Sequence, residues 1–406
     1  MAFSFQSLIM PPKVVIIGHG YLSRLALIRS LGQADYDVTV IVTMYGDVNT
    51  TRPLDCYSKY VSEVYYCNAR DNDGLIKILI ENCVCKEQKT VIIPDSDWAA
   101  SIIDNNRDLL SAHFLFPYIK DENIFVSDMM DKECQKQLAK EIGLAVPGIT
   151  KLHIENGIIP DLNEVHYPCF TKALTTMVGG KQWFKKCSSD MELRNALTKF
   201  AKGGDADILV EDFIDIEKEY AVVGITDGEN VIIPGIIQFV ENCQCHLGIA
   251  RKGKILPIKG YEELIEQFKQ YVKATKFVGL FDIDFLYSKG VFYFCEMNFR
   301  YGGSGYAYTM SGVNLPALFV NVVTGKRDLD DIKTSVVKEQ TYVNERMLLD
   351  DLSAMNITIS DFNRATRTAD IRFIHNVNDP KPEQLFSKMV LKAKTKYLLK
   401  KLLGRQ

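Results

Sequence analysis

The stretch Leu280–Arg300 restricts this chain more than any other. It reads L-F-D-I-D-F-L-Y-S-K-G-V-F-Y-F-C-E-M-N-F-R, two alternating strands around a turn. Alternate side chains of a strand share a face. With a three-residue loop Ser288-Lys289-Gly290, Tyr287 pairs with Val291 and Asp282 faces Glu296, with Asp284 diagonal to it. Asp282, Asp284, Glu296, Asn298 and Arg300 then share one face. Phe281, Ile283, Phe285, Cys295, Met297 and Phe299 share the other, which reads as core. Like charges facing each other across a sheet cost about 0.2–1 kcal/mol. A cation removes that cost, and carboxylate and amide oxygens in this number suit Mg²⁺ held with phosphate oxygens.

The rest of the chain is consistent with an ordinary globular protein. Of 406 residues, 47% are apolar and 24% charged, which argues against disorder. The 48 basic and 51 acidic residues give a net charge of −3, so the whole chain carries no nucleic-acid footprint. No run of apolar residues is long enough for a membrane span. Met1–Pro12 is too short and lacks the basic region of a secretory signal, so a cytoplasmic setting is expected. Ten cysteines are scattered. Cys83/Cys85 and Cys243/Cys245 are C-x-C pairs without the C-x-x-C spacing of a zinc site, and they read as reduced thiols.

Val14–Ile17, Asp37–Val42 and Lys89–Pro94 are apolar runs separated by helical stretches, which predicts a parallel sheet covered on both faces. The first run ends in Gly18-His19-Gly20 and the third near Asp95-Ser96-Asp97. Ser23 stands where a dinucleotide fingerprint needs its third glycine, and no acid ends the second strand, so a nicotinamide enzyme is disfavoured. Further on, Lys172 sits inside an apolar strand, where it needs an anion. The loop Thr175–Lys181 holds two glycines and Lys181, suited to covering phosphates. Glu211-Asp212-Phe213-Ile214 forms a strand-to-bend backbone able to pair with an adenine edge.

This order of elements resembles the ATP-grasp superfamily over about residues 12–325. The most specific piece is Asp284…Glu296-Met-Asn298-Phe-Arg300. Within it the chain looks most like the D-aspartate ligase group and related carboxylate–amine ligases of bacterial envelope synthesis, through Phe114-Leu-Phe-Pro-Tyr-Ile119, Asp131-Lys132 to Gly143-Leu-Ala-Val-Pro147, and Asn298-Phe-Arg-Tyr-Gly-Gly-Ser304. The resemblance implies an α/β and α+β protein: an N-terminal Rossmann-like pre-ATP-grasp domain (1–124), then a two-lobed ATP-grasp fold (125–204 and 205–325), and a C-terminal extension (326–406). It implies ATP and Mg²⁺ as cofactors, and a small carboxylate and an amine as substrates. Lys132 and Lys172 would hold the α- and β-phosphates, with Lys181 over the β/γ region. Glu211 to Ile214 would receive adenine and Glu219 the ribose. Asp284, Glu296 and Asn298 would bind metal, and Arg300 would neutralise the transferred phosphoryl group. Gly303, Ser304 and Arg251 are weaker candidates for the carboxylate substrate. A ligase for another amino acid or peptide, and an ATP-binding protein without turnover, are the alternatives. The basic stretch Phe386–Leu403, with lysines among leucines, is a candidate for peripheral contact with an anionic membrane.

Overall fold

The computed structural model describes residues 11–174, 183–333 and 337–403. Three sheets organise them. The first is parallel, in the order Val61–Asn68, Val38–Met44, Val14–Gly18, Thr90–Pro94, Phe114–Leu115. Val14 to Ile17, Val38 to Ile41 and Thr90 to Ile93 are almost wholly buried, as expected of strands covered on both faces. The order turns back on itself between Val14–Gly18 and Thr90–Pro94. Their carboxyl ends, Gly18–Gly20 and Asp95–Asp97, therefore flank the crevice where open α/β sheets bind ligands.

The second sheet is antiparallel, in the order Ile149–Ile154, Ala206–Asp212, Cys169–Ala173, Lys185–Cys187. Ala206–Asp212, expected to open the second lobe, thus hydrogen-bonds within the sheet of the first. Ser189 caps the helix Asp190–Phe200 by accepting from the Glu192 amide, a position that favours serine.

The third sheet runs Val291–Asn298, Phe277–Ser288, Lys218–Asp227, Ile236–Asn242, Ala250–Leu256, Gln340–Val343, Ile371–Arg372. Its last two strands come from the C-terminal extension, and they pair with each other in parallel. The extension is tied to the N-terminal helix Tyr21–Gly32 as well. Arg29 donates to Asp379 Oδ2 at 2.9 Å and to the Phe373, Ile374 and Asp379 carbonyls, with both side chains fully buried. The final helix, Pro380–Leu402, packs Phe386, Val390, Ala393 and Tyr397 against the cluster containing Leu348, Leu349 and Leu352. The spacing of those four residues follows one face of a helix. Leu391, Leu398 and Leu402 lie outside that face and are exposed. Among the described residues, no helix is long and apolar enough to cross a membrane.

Candidate active site

The hairpin forms, with a tighter turn than expected. Ser288 pairs with Val291, so the loop is the two residues Lys289-Gly290, both at positive φ (49° and 83°). That is the backbone of a primed hairpin turn, matched to the twist of its strands. A bulge follows: Phe285 pairs with Phe294, but Asp284 pairs with Glu296. Cys295 is the extra residue. The register corrects the sequence expectation in two ways. Asp284, not Asp282, lies directly opposite Glu296, and Asp282 faces Asn298. Cys295 also leaves the core face, whereas Phe281, Ile283, Phe285, Met297 and Phe299 are buried as expected. Burial pushes its thiol up to about 12, against the pull of the nearby Lys172 and Lys136 ammoniums.

The helix Lys132–Ile142 delivers two lysines to this face. Asp131 caps it by accepting from the Glu133 and Cys134 amides, and Gly143 closes it in the left-handed region at φ 90°. Gln135 locks it to the hairpin. Its Nε2 donates to the Met297 carbonyl at 3.0 Å, and its Oε1 accepts from the Met297 amide at 2.7 Å. Lys132 Nζ then bonds Glu296 Oε2. Burial alone would raise the Glu296 carboxyl, but Lys132 brings it down to about 2.

One turn later Lys136 reaches Glu211 Oε1 at 3.0 Å, while Lys172 reaches Glu211 Oε2 at 2.7 Å. Burial works against the charge on Lys172, and the carboxylate outweighs it, so the ammonium is held above its ordinary range. At Lys136 burial prevails and the value falls. For Glu211 the two lysines overcome burial and hold it low. Lys136 and Gln135 were missed by sequence reading, although the i, i+4 spacing from Lys132 places Lys136 on the same helix face.

Glu211 therefore serves as the hub of two lysines. Beyond it, Phe213 and Ile214 line a cavity of about 480 Å³ with Pro168, Lys186, Ser288 and Tyr293. Asp212 lies 3.5 Å from His166 Nδ1 at the edge of the same bend. Glu219 accepts from Asn242 Nδ2 at 2.9 Å. Lys181 lies outside the described residues.

Arg300 closes the opposite end. Its Nε lies 3.2 Å from Asp97 Oδ1, its Nη1 3.9 Å from Asp282 Oδ2, and its Nη2 donates to Asn298 Oδ1 at 3.3 Å. A small cavity of about 10 Å³ is lined by Asp97, Lys132, Gln135, Glu296 and Asn298. It joins the end of the first sheet to the hairpin. Gly303 and Ser304 form a turn (Gly303–Gly305) beside the first helix, where a Cβ on Gly303 would lie 3.9 Å from the Ser23 amide. Arg251 is held by two carboxylates. It pairs with Glu241 at 3.2 Å and with buried Asp351 at 2.5 Å, and Asp351 also accepts from the Gln244 and Cys245 amides, so Arg251 is tied to the 243–249 loop. His246 likewise faces Asp350, at 3.1 Å.

Oxygen donors on facing strands, flanked by lysines and an arginine, fit a divalent cation bridging phosphate oxygens. Asp284 and Glu296 in direct register, with Asn298 on the same face, are the carboxylates and amide that would hold such a cation.

Comparison with known proteins bears on the fold. Residues 137–317 match the ATP-grasp domain model. The carbamoyl phosphate synthase large chain of Clostridium acetobutylicum is 26% identical over 234 residues, which is 53% of this chain and 21% of that protein. The chain thus spans about a fifth of the length of that relative. Among solved structures, N5-carboxyaminoimidazole synthetase from Staphylococcus aureus, complexed with ADP, superposes with a TM-score of 0.64 at 17% identity, covering 90% of this chain and 89% of that one. L-amino acid ligase from Bacillus licheniformis gives a TM-score of 0.59 at 15% identity over 82% and 79%. At these identities the two structures establish a shared fold.

Proposed function

We propose that this chain, which carries an ATP-grasp domain, is an ATP- and Mg²⁺-dependent ligase that joins a small carboxylate to an amine. The observation that carries the reading is the direct pairing of Asp284 with Glu296, with Asn298 beside them and Lys132 and Lys172 at hand. In the reaction, a carboxylate oxygen of the substrate attacks the γ-phosphorus, the bond to the β-phosphate oxygen breaks, and ADP leaves. The amine then attacks the acyl phosphate carbon, phosphate leaves with the C–O bond pair, and a proton is lost from nitrogen. Phosphoryl transfer asks mainly for positioning and charge neutralisation, which is what this residue set offers.

Asp284, Glu296 and Asn298 would hold Mg²⁺, which supplies charge neutralisation at the β- and γ-phosphates. Lys132 and Lys172 take the phosphate oxygens, exchanging their carboxylate partners for the nucleotide. Phe213 and Ile214 form the wall of the base pocket, and Glu219 receives the ribose hydroxyls. Arg300 neutralises the acyl phosphate. The weaker candidates Gly303 and Ser304 lie in the turn that follows Arg300, at the acyl end. Lys181 extends the phosphate cover from its glycine loop. An amino acid substrate, D-aspartate in envelope synthesis, is the finer reading. It rests on the resemblance of Phe281-Asp-Ile-Asp284 and Asn298–Ser304 to the D-aspartate ligase group. The division into an N-terminal domain, two lobes and an extension, and a cytoplasmic setting, belong to the same reading.

A screen for ADP release with D- and L-amino acids, each with and without amine acceptors, tests it. Carboxylate-dependent ADP release that also requires Mg²⁺ is expected. ATP binding with no ADP formed from any carboxylate would leave a nucleotide-binding protein instead.

A further inference from the structure

Cys243 and Cys245 have no task in the ligase reading, and their C-x-C spacing alone signals no metal. The fold adds what the spacing lacks. Among the described residues, Cys243, Cys245 and Asp351 are the one group of three His, Cys, Asp or Glu side chains whose donor atoms all lie within 4.8 Å of one another. Asp351 comes from the helix Glu345–Ser353, 106 positions beyond Cys245. The other C-x-C pair is placed differently: Cys83 lies in an apolar cluster, and Cys85 donates to Glu87 Oε2 at 3.1 Å.

The loop after Asn242 is wound round the Asp351 carboxylate. Its Oδ1 accepts from the Gln244 and Cys245 amides at 3.0 and 3.1 Å and from Asn356 Nδ2 at 3.2 Å, and it lies 3.4 Å from Cys243 Sγ. Its Oδ2 takes Arg251 at 2.5 Å and a second contact from the Gln244 amide at 3.2 Å. Cys243 and Asp351 are buried and Cys245 is exposed, so the group is reached from the Cys245 side. Asn356 Nδ2 also donates to Cys245 Sγ at 3.5 Å, a bond of the kind that orients a metal ligand. His246 follows directly, with its Nε2 3.1 Å from Asp350 Oδ2. An imidazole held by a carboxylate through one nitrogen offers the other to a metal.

Two thiols, a carboxylate and an imidazole make a donor set for four-coordinate zinc, and sulfur disfavours magnesium and calcium. Zinc bonds of about 2.0–2.3 Å space tetrahedral donors roughly 3.3–3.8 Å apart, so the three donors need only draw in slightly. The charges balance as well. Burial and Asp351 keep Cys243 a neutral thiol against the Cys245 and His246 amides, and burial does the same for Cys245. Zinc displaces both thiol protons: two positive charges leave as one dication enters, and the Asp351–Arg251 pair stays compensated.

We infer that Cys243, Cys245 and Asp351, joined by His246, form a structural zinc site that clasps the 243–249 loop to the helix Glu345–Ser353. The clasp fastens the C-terminal extension to the strands Ile236–Asn242 and Ala250–Leu256 of the third sheet, and it stands whether or not the chain is a ligase.

The test is metal binding by the full-length reduced protein, stripped with a chelator and titrated with zinc alone, then with cobalt as a spectroscopic probe. One equivalent of zinc should bind and raise the melting temperature. One equivalent of cobalt should give a sulfur-to-metal charge-transfer band, which carboxylates of the hairpin cannot give. Cys245→Ser should weaken zinc binding at least a hundredfold and abolish both the band and the rise in melting temperature. Cys243→Ser should do the same, and the exposed Cys245 keeps the test decisive where a change at buried Cys243 prevents folding. His246→Ala should cost about tenfold in zinc affinity, and Cys85→Ser nothing. Absence of the band in the wild-type protein, or a band and a melting rise that survive in Cys245→Ser, overturn the site. Unchanged affinity in His246→Ala overturns the place of the imidazole in it.

Discussion

Lys172 Nζ rests 2.7 Å from Glu211 Oε2, and the two residues come from neighbouring strands of one sheet, where Lys172 pairs with Leu209 and Glu211 with Phe170. A lysine proposed to meet phosphate is thus held charged by a carboxylate that also pairs with Lys136. Lys172→Ala should raise the KM of ATP about tenfold or more, since it deletes one charge-assisted phosphate contact. Lys172→Arg should recover part of that loss. Initial rates against ATP concentration check it, and an unchanged KM would make Lys172 a structural partner of Glu211.

Glu296→Gln keeps the shape of the hairpin and removes the charge that faces Asp284. Carboxylate-dependent ADP release should fall at least a hundredfold, because the position no longer offers an anionic oxygen to the cation. Far-ultraviolet circular dichroism should stay as in the parent. Turnover within a factor of three of the parent would remove the metal assignment.

Asp95 also predicts a pH dependence. Burial pushes its carboxyl up to about 7, and the surrounding groups, Arg24, the Gly20 amide and Arg300 on the lowering side and Asp55 on the raising side, leave it there. A carboxyl raised on folding contributes stability that is present below its unfolded value, about 4, and is lost as pH rises through about 7. The protein should therefore lose stability on the order of 1–3 kcal/mol between pH 5 and pH 8 through this group. Asp95→Asn should flatten that part of the curve. Denaturant melts at the two pH values measure it, and a variant that keeps the full slope would exclude Asp95 as its source.

Asp351 works with the opposite sign. Burial would raise it, but Arg251, Asn356 and the Gln244 amide bring it down to about 2. Its contribution is present above pH 4 and is lost as pH falls through about 2. Arg251→Gln should destabilise the fold by about 1–3 kcal/mol, by leaving a buried carboxylate short of its partner. The KM of ATP should not change. A selective rise in the KM of the carboxylate substrate, with stability unaltered, would restore Arg251 to the substrate site.

The last helix offers a surface test. Leu391, Leu398 and Leu402 are exposed beside lysines, and they lie off the face that packs on the body. If the helix lies on anionic membranes, replacing these three leucines by glutamine should abolish co-sedimentation with phosphatidylserine vesicles without moving the melting temperature. No sedimentation of the intact protein would end the idea.

Much of this architecture is legible in local pattern. Buried runs announce the parallel strands, and the alternation from Phe281 to Phe299 separates core from site. The register was not legible. The bulge at Cys295 carries no signature in residue type, yet it decides which acid faces Glu296. The setting of Arg251 was hidden for a related reason. Its partner Asp351 lies a hundred residues away, and no spacing rule links them. Asp95 and Asp97 were visible only as residues after a strand, because Gly302–Ser304, which completes their surroundings, arrives from the far end of the chain.

The lock between Arg29 and Asp379 has a consequence for how the protein is made. The two residues are 350 positions apart, and at roughly 5–20 residues per second a ribosome needs about 20–70 s to cover that distance. Until then the first helix carries a guanidinium built for burial with nothing to meet it. The Tyr21–Gly32 helix must wait, its Arg29 unmatched, for the final stretch to emerge, so a nascent chain stalled short of Asp379 should be captured by chaperones where the released one is not.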